Sequence, residues 1–237
     1  MVAIVCFLSL LFIAIGFIVT PDNARYLLSG YNTMSEEERA KIDIAAYLRF
    51  FKRFHVFLGI SLLISVLVLH FLIDKDAAGI VMVLYPLMAY LFFVVKSRRT
   101  ATATKQQRRI AILPIGLMVV VIIAVTMLLR NGTEANPIKV TREELIIDGM
   151  YGEQIPRKSI KAVELVDELP KIALKTNGFA MGNHKKGKFK TKEGKIITLL
   201  VNTKNKPYLK LKTDTREIYI SSGEVSASDL YQKLKEN

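Results

Sequence analysis

The sequence predicts an α + β membrane protein, four transmembrane helices followed by a small β-barrel or sandwich capped by a C-terminal helix. Two observations lead there. The first is an uneven spread of charge along 237 residues that are 51% hydrophobic, with 34 Lys+Arg against 21 Asp+Glu. Positions 1–130 hold 14 of the basic and 7 of the acidic residues, grouped between long uncharged apolar runs. The second is that positions beyond 130 contain no apolar run long enough to cross a bilayer, and instead alternate apolar with polar residues. The expected organisation is a membrane part at 1–130, a linker at 131–137 and a soluble domain at 138–237. A single Cys excludes an intrachain disulfide framework and a Cys-based zinc ribbon. Three scattered His leave few ligands for a metal.

Four stretches suit a bilayer, since about 20 apolar residues cross about 30 Å of hydrocarbon. They are 2–19, 54–73, 77–95 and 110–129. The first lacks a basic leader and a clear small-x-small cleavage site before Pro21, so an uncleaved anchor is expected. Only Asp74, Lys75 and Asp76 separate the second from the third, which makes these two a helical hairpin. Pro86 and Pro114 fall inside spans, where proline is tolerated more readily than in soluble helices.

Basic residues set the expected orientation. Loop 20–53 carries six, as does loop 96–109, whereas the hairpin turn has Lys75 alone. The positive-inside rule then places both rich loops in the cytoplasm, with the N-terminus and the C-terminal domain outside a cell membrane crossed several times. Within loop 20–53, Ser35 and Glu38 form a capping box that starts a helix running through Ile42, Tyr47, Leu48 and Phe51 along the inner membrane surface, before a turn into the second span. Arg49, Lys52 and Arg53 fall at headgroup level as a candidate inner-leaflet anchor, through ordinary interfacial anchoring or through recognition of anionic lipid.

Polar groups inside the spans are few: Ser61, Ser65 and His70 in the second, Thr126 in the fourth. His55 and His70 lie 15 residues apart, roughly 22 Å along a helix, too far to share a metal. Each sits near a span end, and a solvated interfacial imidazole is expected at both. No Asp, Glu, Lys or Arg is buried in a span, which disfavours a transporter or proton pump.

In the soluble half, strands are expected at 144–147, 151–155, 160–166, 172–176, 188–191 and 196–202, and where Leu209 and Leu211 alternate with Lys210 and Lys212 and Ile218 and Ile220 flank Tyr219. Turns are expected at Asp148-Gly149, Pro156, Asn177-Gly178, Glu193-Gly194 and before Pro207. Close antiparallel spacing of this kind makes a small barrel or sandwich. A terminal helix follows, with Ser226 as N-cap, Asp229 at the box position, Val225 as staple to Leu230, and one apolar face from Leu230, Tyr231 and Leu234.

The string GMYGEQIP at 149–156, then Ser159-Ile160, Thr176 to Phe179, Gly187 to Phe189 and the segments at 208–212 and 217–222, resembles the bacterial pleckstrin-homology (PH-like) domain family over about 138–235. The string LSGYNTMSEEER at 28–39 resembles the hallmark of a small bacterial membrane family of unknown function, built of about three spans around this loop, over roughly 1–100. Ile42-Asp43 and Ala45-Ala46 depart from the basic continuation usual there. Neither resemblance implies an enzyme. PH-like domains generally act as platforms for lipids, peptides or other proteins.

Lys185, Lys186, Lys188, Lys190 and Lys192 surround Gly187 and form the strongest local feature, a cationic hairpin or loop suited to phosphates of lipid headgroups or of anionic envelope polymers. The same lysines also suit a solvated edge strand kept from aggregating. No Ser-His-Asp set, phosphate-cradling glycine loop or HExxH appears, and Asp167-Glu168 and Glu143-Glu144 lie beside turns. No catalytic residue, cofactor or metal is implied, and sparse aromatic interleaving excludes nucleic acid. The expected role is a non-enzymatic, membrane-anchored binding or regulatory module. Its partners would be the bilayer, another membrane or envelope protein, and an anionic lipid or polymer surface. The other reading is a channel- or transporter-associated subunit with the C-terminal domain as assembly or gating element.

Overall fold

Two compact units, Met1–Thr126 and Met127–Asn237, make up the chain. The computed structural model describes residues 1–28, 31–32, 34–97, 112–221 and 225–235. Most of the second basic loop, 98–109, and the first two residues of the fourth expected span lie outside the described residues.

The first unit begins with α1 (Val2–Ile18), followed by the short α2 (Ala24–Leu27) and α3 (Glu36–Ala40). Next come α4 (Ile44–Val68), extended by a π-helical turn at Leu69–Ile73, α5 (Lys75–Ser97) and α6 (Ile112–Thr133). Among the described residues, three helical stretches are long and apolar enough to cross a membrane: Ile44–Ile73 with 30 residues, Lys75–Ser97 with 23 and Ile112–Thr133 with 22. The uncharged α1 has 17 residues. It stops where the Asn23 side chain donates to the Ile18 carbonyl at 2.7 Å and accepts from the Thr20 N–H at 2.7 Å.

The Ser35–Glu38 capping box forms as expected: Ser35 Oγ accepts from the Glu38 N–H at 3.2 Å, and the Glu38 carboxylate accepts from the Ser35 N–H at 3.0 Å. The helix it starts is not continuous with the second span. It ends at Ala40, and α4 begins afresh because the Asp43 carboxylate accepts from the Ala46 N–H at 2.8 Å and caps a new N-terminus. From there α4 runs without a break past position 54, so the expected turn between a surface helix and a span is absent.

Within this unit α1 packs antiparallel to α4. A Cβ on Gly16 would meet the Lys52 carbonyl and the His55 Cβ, and one on Gly59 would fall 2.6 Å from the Ser9 carbonyl. Val5 then shares a buried cluster with Leu62, Val66 and Ala78. Small residues at these crossings let two backbones approach closely, the usual basis of helix packing in lipid.

His55 is buried, which overturns its expected solvated state. Nδ1 lies 2.8 Å from the Phe51 carbonyl and Nε2 3.0 Å from the Tyr90 hydroxyl on α5. Phe51, Phe54 and Phe93 pack around the imidazole. One helical turn or more further along, Ser61 Oγ lies 2.7 Å from the Tyr85 hydroxyl, so two polar pairs tie α4 to α5. An interhelical hydrogen bond in a membrane averages about 0.6 kcal/mol. His70, by contrast, is half-buried beside Phe71.

Among the described residues, the second unit holds nine strands. A three-stranded sheet is made of β1 (Ile138–Val140), β2 (Glu144–Ile147) and β3 (Glu153–Pro156). A six-stranded sheet contains β4 (Ile160–Val166), β5 (Ile172–Met181), β6 (His184–Thr191), β7 (Ile196–Asn202), β8 (Tyr208–Thr213) and β9 (Glu217–Ile220), in the order β4-β8-β9-β7-β6-β5. All its neighbours are antiparallel except β7 and β9. Leu145, Ile147 and Ile155 of the small sheet meet Leu200, Leu209, Leu211, Ile218 and Ile220 of the large one. The terminal α7 (Ala227–Lys235), capped by Ser226 Oγ accepting from the Asp229 N–H at 3.0 Å, closes this core with Ala227, Leu230 and Leu234. On the other face of the large sheet, Phe189, Ile197, Leu199, Val201, Tyr208 and Tyr219 form a second cluster. From Ile197 to Val201 β7 is therefore buried on both sides, which explains why this stretch is apolar apart from Thr198.

Asn177-Gly178 is not a turn. It lies inside β5, where Gly178 pairs with Gly187 of β6. A Cβ at Gly178 would sit 2.5 Å from the Lys186 carbonyl, and Gly187 has φ +108°, so both glycines serve close strand approach.

Candidate functional site

Strand alternation distributes the lysine run, which lies on β6 rather than in a loop. Lys188 and Lys190 are exposed, Lys185 is half-buried in the row of Val201, and Lys192 stands exposed in the turn to β7. Lys186 is only 3% exposed, which removes it from any surface contact. Its ammonium donates to the Asn131 carbonyl at 3.2 Å and to the Glu134 carbonyl.

Those carbonyls belong to the end of α6, where the last turn of a helix leaves acceptors without intrahelical donors. A cation there also complements the helix dipole. Phe179, the cross-strand partner of Lys186, lies under the same turn, and a Cβ on Gly132 would fall 2.4 Å from its ring. Asn136 is buried and donates through Nδ2 to the carbonyls of Asp148 at 2.6 Å and Met150 at 3.1 Å. The stretch 131–137, expected as a linker, is thus helix to Thr133 and packed beyond it. Burial holds the Lys186 ammonium below the ordinary lysine range, and the nearby Glu134 carboxylate partly offsets this.

The surroundings of β6 are strongly cationic. Between Leu169 and Thr213 the chain has twelve lysines and one acid, Glu193. Hydrogen bonds from its own backbone and from Thr191 hold the Glu193 carboxyl below the usual range, with Lys171 and Lys195 adding to the effect. Among the described residues, no group of three or more His, Cys, Asp or Glu is placed to hold a metal ion.

On α4, Arg49, Lys52 and Arg53 are exposed on one helical face, away from the buried Leu48, Phe51 and His55. The Lys52 ammonium sits 3.9 Å over the Phe17 ring of α1, a cation–π contact.

Residues 6–101 match the family described as Domain of unknown function (DUF3784), and residues 137–236 match the family described as Bacterial PH domain. The two matches cover separate parts of the chain, each less than half of it. Both resemblances carried by the strings at 28–39 and 149–156 fall within the matched ranges. Both families are generally non-catalytic. No curated protein and no solved structure matches the chain. The seam between the PH domain and α6 was not legible in the sequence. Only the Gly132 at the helix end hinted at close approach, and its partner Phe179 lies 47 positions away.

Proposed function

We propose that the chain is a non-enzymatic membrane-anchored module that presents its PH domain to a membrane-protein partner or an anionic envelope or lipid surface. The observation that carries this is the seam at the end of α6. Lys186, Phe179 and Asn136 fix the helix end and the chain that follows it to the domain, which therefore begins directly at the end of an apolar helix of membrane-spanning length.

In this reading four helices cross the membrane. α1 is within the range of about 17–25 residues that spans a bilayer, and its antiparallel pairing along α4 supports a crossing of its own. The N-terminus and the PH domain are then extracytoplasmic, with Arg49, Lys52 and Arg53 at the inner leaflet. A channel or transporter role gains no support, because the polar side chains His55 and Ser61 are used in pairing α4 with α5.

The test is topological. A Cys6→Ser, Asn205→Cys chain is treated in intact cells with a membrane-impermeant maleimide, with lysed cells as control. Labelling in intact cells is expected. Labelling only after lysis would place the PH domain in the cytoplasm and remove the envelope surface as its partner.

A further inference from the structure

Lys190 lies between two aliphatic side chains that the fold leaves uncovered. Leu174 of β5 and Ile196 of β7 are its cross-strand neighbours, and they are 59% and 47% exposed. Two positions along β6, Lys188 is flanked by Asn177 and Thr198. The Asn177 side chain accepts from the hydroxyl of Tyr151 at 3.3 Å, and Tyr151 is itself exposed. Among the described residues, neither Lys188 nor Lys190 meets a carboxylate. One end of the large sheet therefore displays two aliphatic tips, two lysines and a tyrosine side by side.

This combination has a specific physical meaning. Lysines that flank apolar tips repel a hydrophobic protein partner unless it is acidic, yet they suit a surface that offers anionic groups above and hydrocarbon below. Tyrosine is enriched at that same boundary. Lys186, two residues before Lys188 on the same strand, holds the end of α6. Four residues of strand span about 13 Å, so Lys190 lies about that far along β6 from the lysine that holds the helix end.

We propose that Leu174, Lys188, Lys190, Ile196 and Tyr151 form a docking surface for the anionic leaflet that α6 leaves, with the lysines on lipid phosphates and the two aliphatic tips among the upper acyl carbons. This rests on the reading that α6 crosses the membrane, and it names the partner of the cationic strand as lipid rather than protein or polymer. Docking is reinforced by tethering: the surface never diffuses away from its ligand, so weak individual contacts suffice.

The full chain, with Cys6→Ser and Ile196→Cys carrying an environment-sensitive fluorophore, is placed in nanodiscs of phosphatidylcholine alone or with phosphatidylglycerol. In the anionic discs a blue shift and quenching by lipids spin-labelled near the headgroup are expected. Both are lost in a Lys188→Gln, Lys190→Gln background and retained in a Lys204→Gln, Lys206→Gln control of equal charge change. Raising salt from about 0.1 M to about 1 M, which shortens the Debye length from about 10 Å to about 3 Å, weakens the signal. Water-like emission in both discs overturns the proposal. So does an equal shift in phosphatidylcholine alone, or a blue shift without lipid quenching, which would mean that protein covers the surface. Because the maleimide experiment tests the crossing of α6 and the side on which the domain lies, failure of the docking surface is distinguishable from failure of the broader reading.

Discussion

At Lys186 a charged side chain in a lysine-rich strand is covered by the chain around the end of α6, whereas the lysines two and four residues on, on the same strand face, stay open to solvent. In the sequence these positions are indistinguishable, since each is a lysine beside an uncharged residue. What separates them is the location of the helix end, a non-local fact. Hydrogen bonds from a charged group are worth about 1.5–3 kcal/mol each, and burial of the ammonium subtracts from this. Lys186→Met is therefore expected to destabilise the PH domain by about 1–3 kcal/mol in urea unfolding of the nanodisc-held chain, because two carbonyls lose their donor. The pH dependence has a definite sign. With its folded pKa lowered from 10.5, Lys186 binds protons less readily than in the unfolded chain, so stability gains as pH rises through that window. Tyr208 and Tyr219 act in the opposite direction. Burial raises both above 10.0, and at Tyr219 the Glu217 carboxylate adds to it. Their contribution is complete below 10.0 and is lost as pH climbs further. Lys186→Met is expected to flatten the gain below pH 10, and Tyr219→Phe to lessen the loss above it. A profile unchanged by either substitution would contradict these assignments.

Among the elements, the helices and half-buried strands were readable because their apolar periods are local. β2, β4 and β7 begin and end where alternation or apolar runs place them. β5 and β6 were read too short because Asn177-Gly178 carries a turn signature, whereas the glycine is there for its partner strand. The break between α3 and α4 hangs on Asp43, one capping carboxylate inside an otherwise continuous amphipathic pattern. α1 and α4 show the same dependence on a distant partner: nothing near Gly59 announces that the Ser9 backbone lies against it. Gly59→Leu is expected to push the two helices apart. Oxidative cross-linking of a Cys pair at Val5 and Leu62, in a Cys6→Ser background, should fall severalfold with Gly59→Leu. Undiminished cross-linking would show that the helices tolerate the side chain and that close approach is not what holds them.

For the whole molecule, an apolar helical part followed by a cationic β domain was legible from the spread of charge and the apolar runs, and the two family matches fall on these two parts. The connection between them was not. A short polar stretch after an apolar helix is ordinarily a linker, and a flexible one would let the PH domain search freely. Here the stretch is packed, and the domain is carried by the helix end. That packing fixes the surface on β5, β6 and β7 relative to the last turn of α6 and the residues that follow it.

The most direct test of this coupling is the distribution of distances between nitroxides at Leu128 on α6 and Lys192 in the β6–β7 turn, measured by double electron–electron resonance on the Cys6→Ser chain in nanodiscs. A single narrow distribution is expected, broadening when Lys186→Glu opens the seam while the β signal in circular dichroism persists. A broad distribution with Lys186 intact would mean that the PH domain swings freely on its anchor, and the account of a rigidly presented module would be wrong.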